Sequence, residues 1–168
     1  MKAKIVMKFG GTSVGTADGI RKTVEIIRAN RSRSPFVVVS ALSGVTDMLL
    51  ASARKALDRK VSAREIVREV EERHKAVIKE LGLNSDLVAE ELAELEHVLF
   101  GISLVRELTT RTTDYVASFG ERISSKIVAA YARNSGLNAQ AFTAYDLGMV
   151  TDDHFGGAEI LPETYETI

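Results

Sequence analysis

At 168 residues, 45% of them hydrophobic and 27% charged, the chain has the length and balance of one globular domain with a sizeable core. Lys and Arg number 22 against 23 Asp and Glu, a formal net charge of -1, so no overall basic field argues for nucleic acid or an anionic membrane surface. There is no cysteine for a disulfide framework or thiolate zinc site, the apolar runs are too short to span a bilayer, and the start lacks the features of a secretory signal, so a cytoplasmic protein is expected.

Ile5, Val6 and Met7 form an apolar run that closes in Lys8-Phe9, with Gly10 and Gly11 directly behind, which reads as a strand entering a loop. Over residues 17 to about 30, Ile20, Val24 and Ile27 recur at helical spacing, and Pro35 then introduces Phe36-Val37-Val38-Val39, a run of high strand propensity. A continuous apolar strand of this kind is typical of a sheet covered on both faces, and the connection suffices for a right-handed parallel crossover. Ser62-Ala63-Arg64-Glu65 has the spacing of a capping box and predicts a helix start. Ile66, Val70, Val77, Ile78 and Leu81 make its apolar stripe, and Gly82 is placed to stop it. A second helix is expected over about 86–108 on Val88, Leu92, Leu95, Leu99, Ile102 and Val105, the two forming an antiparallel hairpin. A third follows Gly120, carried by Ile123, Ile127 and Tyr131 and closed near Gly136, and residues 139–145 read as another short strand. No internal repeat or interdomain linker interrupts the chain.

The glycines after the first strand invite comparison with known phosphate loops. Gly10 and Gly15 match G-x-x-x-x-G, but Thr16-Ala17 stands where a Walker loop needs Lys followed by Ser or Thr, and Gly10, Gly11 and Gly15 do not make G-x-G-x-x-G. A different arrangement of the same chemistry remains. Side-chain-free residues let backbone N–H groups approach an anion, a helix amino end behind them adds a favourable dipole, and Lys8 supplies full charge from the strand. The alternative for the same residues is a tight strand-to-helix turn preceded by a solvated lysine.

Lys8-Phe9-Gly10-Gly11-Thr12-Ser13-Val14 resembles the amino-terminal signature of the aspartate kinases, a branch of the amino acid kinase family. Ser40-Ala41-Leu42-Ser43-Gly44-Val45-Thr46, Ser118-Phe119-Gly120-Glu121-Arg122 and Thr151-Asp152-Asp153-His154-Phe155-Gly156 resemble three further segments of that family in the same order. The resemblance extends over essentially the whole chain. It implies an α/β fold, a three-layer sandwich of the amino acid kinase type with a mainly parallel sheet and a long helical hairpin. It also implies transfer of the γ-phosphoryl group of ATP, with Mg2+, to the side-chain carboxylate of L-aspartate, giving 4-phospho-L-aspartate, the first step of the biosynthesis of lysine, threonine and methionine. A carboxylate of reference pKa about 3.9 is already ionised at neutral pH, so no general base or covalent intermediate is required. Bringing it against polyanionic ATP demands cations and N–H donors instead.

By the same resemblance Lys8 is the catalytic cation and, with Phe9, Gly10 and Gly11, binds the ATP phosphates. Ser40 and Thr46 hold aspartate near the transferring group, and Glu121 pairs with its ammonium or organises the contacts around it. Each has a plainer alternative: Ser40 as a turn cap, Thr46 as a helix start, Glu121 as a carboxylate favoured in a helix's first turn. Arg122 is expected as a structural ion-pair partner. His74, in line with an apolar stripe, and His97, on a charge-dense helix, lack a second ligand at metal spacing and read as structural or solvated. Asp152, Asp153 and His154 are assigned no ligand role, no metal site is expected, and the charged run 68–80 reads as the wet face of the hairpin.

In the aspartate kinases the chain continues into a second half of the kinase domain, with a G-R-G-G-S-D segment and most of the nucleotide pocket, and usually into ACT regulatory domains. Residues 1–168 are therefore expected to be the amino-terminal, aspartate-binding half of the catalytic domain, inactive alone and prone to form homo-oligomers or to pair with the missing carboxyl-terminal half. Another amino acid kinase, acting on glutamate or carbamate, and a noncatalytic binding or assembly module are the alternatives.

Overall fold

The two apolar runs that flank the first helical segment pair side by side as parallel strands, β1 (Val6–Phe9) and β2 (Phe36–Val39), in a register running from Val6↔Phe36 to Phe9↔Val39. A computed structural model describes residues 4–167; residues 1–3 and 168, within the expected 1–168 unit, lie outside the described residues. Between the strands run a single turn, α1 (Gly11–Val14), and α2 (Ala17–Ala29), whose start is capped by Thr16 Oγ1 accepting from Gly19 N at 3.1 Å. The helix buries Ile20, Val24 and Ile27, the residues whose spacing predicts it.

The chain beyond β2 is mostly helical: α3 (Val45–Leu57), α4 (Ala63–Glu80), α5 (Ala89–Val105), α6 (Thr110–Asn134) and a closing turn, α7 (Thr164–Thr167). The capping box at the start of α4 is formed in both directions, Glu65 N to Ser62 Oγ at 3.3 Å and Ser62 N to Glu65 Oε2 at 3.0 Å. α4 and α5 pack together as the expected hairpin and lie against α3. Leu49, Val70, Leu95, Leu99, Phe119, Ile123 and Ile127 are fully buried where α3, α4, α5 and α6 meet. His74 is buried on α4 with Nδ1 2.7 Å from the Val70 carbonyl, and His97 is exposed, so both take the structural or solvated role expected of them.

Four expectations change. The third helix starts at Thr110, capped by Thr109 Oγ1 accepting from Thr112 N at 3.1 Å, so Gly120 is inside α6 and not before it. A methyl group at Gly120 would lie 2.6 Å from Ala41 Cβ, which explains a glycine in mid-helix by close packing. Residues 139–145 form no strand: Thr143 N donates to Asp146 Oδ2 at 2.8 Å and Asp146 N to Thr143 Oγ1 at 3.1 Å, closing a turn where a ladder would need extended backbone. The sheet is covered on one face only among the described residues. Phe9 and Val39 pack against the core, whereas Val6, Phe36 and Val38 on the opposite face are 70%, 47% and 42% exposed. α5 is also shorter than expected, ending where Arg106 turns left-handed at φ 56°. No helix among the described residues is long and apolar enough to cross a membrane.

Candidate functional site

Parallel strands end in loops on the same edge of a sheet, and that edge is where α/β folds gather ligands. Here the loops after β1 and β2 lie against each other. Ser40 N donates to the Phe9 carbonyl at 3.0 Å, extending the parallel pairing by one bond into the loops. Gly10 then turns the chain into α1, its carbonyl accepting from Ser13 N at 2.9 Å and Val14 N at 3.3 Å. A methyl group at Gly11 would sit 2.9 Å from the Ala41 carbonyl, so only glycine lets the two loops close to this distance. Lys8 is exposed on the open face of β1, and its ammonium lies over Gly10, 3.9 Å from where a methyl group on that residue would be. Phe9 contributes its bonded carbonyl and packs its ring against the core.

The second loop ends at Gly44, left-handed at φ 79°, which starts α3. Thr46 is exposed in the first turn of that helix, while Val45 beside it is buried. Glu121 comes from the middle of α6. Its Oε1 accepts a 3.1 Å hydrogen bond from Ala41 N, joining α6 to the second loop, and the residue stays exposed. The first-turn alternative for Glu121 falls with the new start of the helix, about three turns earlier.

Lys8, Gly10 and Gly11, Ser40 and Glu121 are thus gathered around one pair of loops, with Thr46 at the start of the following helix. Two participants were not read from the sequence. The Ala41 N–H that holds Glu121 carries no side-chain signal. Arg73 on α4 donates to the Gly15 carbonyl at 2.6 Å, and nothing local marks an arginine in a charge-rich run for this role. Arg122 points away from the loops into the expected ion pair: it bonds Glu94, which also accepts from the Tyr115 hydroxyl, and its guanidinium lies 4.4 Å from the Phe119 ring centre. Arg122, aided by Tyr115, holds the Glu94 carboxyl below the usual carboxylate range.

The segment 151–160 forms a small lobe, bridged antiparallel at Thr151↔Ile160. Asp152 Oδ1 accepts from His154 N and Glu159 N, each at 3.1 Å, so this aspartate ties its own loop. The lobe docks on α6 through Gly156 N to Asp114 Oδ2 at 2.7 Å. Among the described residues no group of three or more His, Cys, Asp and Glu side chains converges as a metal site.

The sequence profile of the amino acid kinase family matches residues 3–161. The chain belongs to the amino acid kinase family. The α/β fold with its parallel strands is the one expected of that family. The chain is 37% identical over 166 residues to aspartokinase 1, chloroplastic, of Arabidopsis thaliana, covering 97% of this chain and 29% of that protein. It is 36% identical over 153 residues to an aspartokinase of Chlamydia trachomatis serovar D, covering 91% of this chain and 33% of the relative. Among solved structures, E. coli aspartokinase III in complex with aspartate and ADP (R-state) superimposes with a TM-score of 0.73 at 25% identity, covering 98% of this chain and 39% of that one. The same enzyme in complex with lysine and aspartate (T-state) gives 0.74 at 27% identity, covering 96% and 36%. The chain spans about a third of the length of the relatives it matches.

Proposed function

We propose that residues 1–168 are the aspartate-binding half of an aspartate kinase catalytic domain, a cytoplasmic enzyme that phosphorylates the side-chain carboxylate of L-aspartate at the entry to lysine, threonine and methionine synthesis. The observation that carries this reading is the Ala41–Glu121 hydrogen bond, which brings the acidic residue of α6 to the same loop pair that Lys8 and the glycines adjoin. Similarity to aspartokinases at 36–37% identity supports the choice of substrate.

In this reading an oxygen of the aspartate side chain attacks the γ-phosphorus of ATP. A P–O bond forms, the bond to the β–γ bridging oxygen breaks with its electron pair leaving on ADP, and no proton need move. Lys8 and the N–H groups around Gly10 and Gly11 offset the negative charge that builds between two anions. Glu121 receives the substrate ammonium while Ala41 N–H fixes the carboxylate's orientation, and the hydroxyls of Ser40 and Thr46 position the substrate. Mg2+ in this reading arrives with the nucleotide phosphates and supplies further positive charge there. Activity in this reading needs a nucleotide-holding surface contributed from outside residues 1–168, and in its absence the chain binds itself.

A coupled ATP and L-aspartate phosphorylation assay tests this on the chain alone and mixed with the carboxyl-terminal part of an aspartokinase catalytic domain. Activity in the mixture only is expected. Activity in neither, with no heat of L-aspartate binding to either sample, would remove the kinase reading and favour a noncatalytic module.

A further inference from the structure

The carbonyl of Gly15, at the far end of the glycine loop, accepts its hydrogen bond from a side chain 58 residues away: Nη2 of Arg73 on α4, at 2.6 Å. A second arginine crosses the same seam in the other direction, Arg21 of α2 donating to the Glu80 carbonyl at the end of α4 at 2.5 Å. The hairpin is thereby fastened both to the loop and to the helix behind it. Charged donors make stronger bonds than neutral ones, and Arg73 is only half-exposed, so its bond is sheltered from water.

Gly15 has no freedom to shift alone. It is buried, and a methyl group on it would lie 2.8 Å from the Gly11 carbonyl and 3.0 Å from Ser43 Cβ. It is wedged between the first residues of its own loop and the loop after β2. On the other side, the Ser13 carbonyl accepts from Thr23 Oγ1 at 3.3 Å, a longer and weaker tie. The Gly15 carbonyl is consequently the point at which a force from the hairpin reaches both loops.

We propose that Arg73 is a positioning residue for the glycine loop, fixing Gly15 and through it Gly10, Gly11 and Ser43 in the attitude that receives phosphate. The inference rests on the phosphate-binding reading of that loop. It assigns to the hairpin a part in the chemistry of an edge to which it contributes no ligand.

The test uses the full chain, with Arg73→Met, Arg73→Lys and the outward-facing control Arg68→Met. Amide hydrogen exchange at Ser13 and Val14, whose N–H groups bond the Gly10 carbonyl, reads loop order without any ligand. Titration with the ATP analogue AMP-PNP, after mixing with the carboxyl-terminal part of an aspartokinase catalytic domain, reads binding. For Arg73→Met, exchange at both amides is expected to quicken and AMP-PNP affinity to fall about three- to tenfold, on the scale of one charge-assisted hydrogen bond. Arg73→Lys should recover part of both losses, and Arg68→Met should match wild type. Unchanged exchange at Ser13 and Val14 in a folded Arg73→Met chain would overturn the inference. A wild-type mixture indifferent to AMP-PNP would instead sink the phosphate reading, with the exchange data still deciding whether Arg73 holds the loop.

Discussion

Lys8 and Glu121 bring opposite charges to one pair of loops, and removing them one at a time separates the two parts of the proposed chemistry. In the reconstituted enzyme, Lys8→Met is expected to lower kcat about 100- to 1000-fold, the range for losing a preorganised donor to developing charge, with aspartate binding nearly intact. Glu121→Gln keeps the bond from Ala41 N–H but loses the charge that meets an ammonium, so KM for aspartate should rise about tenfold or more. Steady-state kinetics with each substrate varied in turn distinguishes these outcomes, and equal effects on both constants in both variants would contradict the assigned roles. A third residue sets a pH dependence. Burial holds the His74 imidazole below its ordinary value of 6.5, with the bond to the Val70 carbonyl opposing the shift. The unfolded chain therefore takes up a proton near 6.5 that the folded chain refuses, so this contribution to stability is whole above that pH and declines below it. Glu71 and Glu94, held low chiefly by Lys75 and Arg122, add their own losses only as pH falls below the ordinary value of 4.5. Urea denaturation at pH 7.5 and 5.5 isolates the histidine, and a His74→Met chain should show the smaller difference.

Among the elements, α6 decides whether a site exists, because it alone brings Glu121 to the loop after β2. Its closest approach is at Gly120, beneath Ala41. Gly120→Ala is expected to destabilise the fold by about 1–3 kcal/mol through overpacking and to lengthen or break the Glu121–Ala41 bond. Urea denaturation measures the first effect and the Ala41 amide shift the second. At α4 the effect is local: Ser62→Ala removes the capping box, which should cost about 1 kcal/mol. Such local features were legible in the sequence. The capping box, the stripes of α2, α4 and α5, and the strand-then-glycine pattern at Lys8 are all written in neighbouring residues. The start of α6 was not, because Gly120 looks like a boundary until Ala41 is placed against it. The apparent strand at 139–145 likewise had suitable residues but, among the described residues, no neighbouring strand that pairs with it. Lys8, the glycines and Glu121 could be picked out as types, yet the contacts that join them, Ala41 N–H to Glu121 and Arg73 to Gly15, cross 80 and 58 residues and leave no local mark.

For the molecule as a whole, the packing among the described residues lies on one side of the sheet. The other side presents Val6, Phe36 and Val38 beside Lys8, and an exposed apolar sheet face with open strand edges favours association. The chain should therefore gain mass with concentration in light scattering, and Val38→Lys should shift it towards monomer; a constant monomer mass for the unmodified chain would contradict the expectation. The long reach of the Glu121–Ala41 bond also bears on the order in which the protein is made. β1 and β2 are joined by the shorter crossover and can pair early, whereas the bond across 80 residues closes a longer stretch of chain and waits for α6 to dock. Loss of the Glu121 side chain should thus quicken unfolding and leave the folding rate almost unchanged. During synthesis, both glycine-bearing loops leave the ribosome well before the acid that latches them, so the nascent chain acquires the place for an anion before it acquires the means to choose an amino acid.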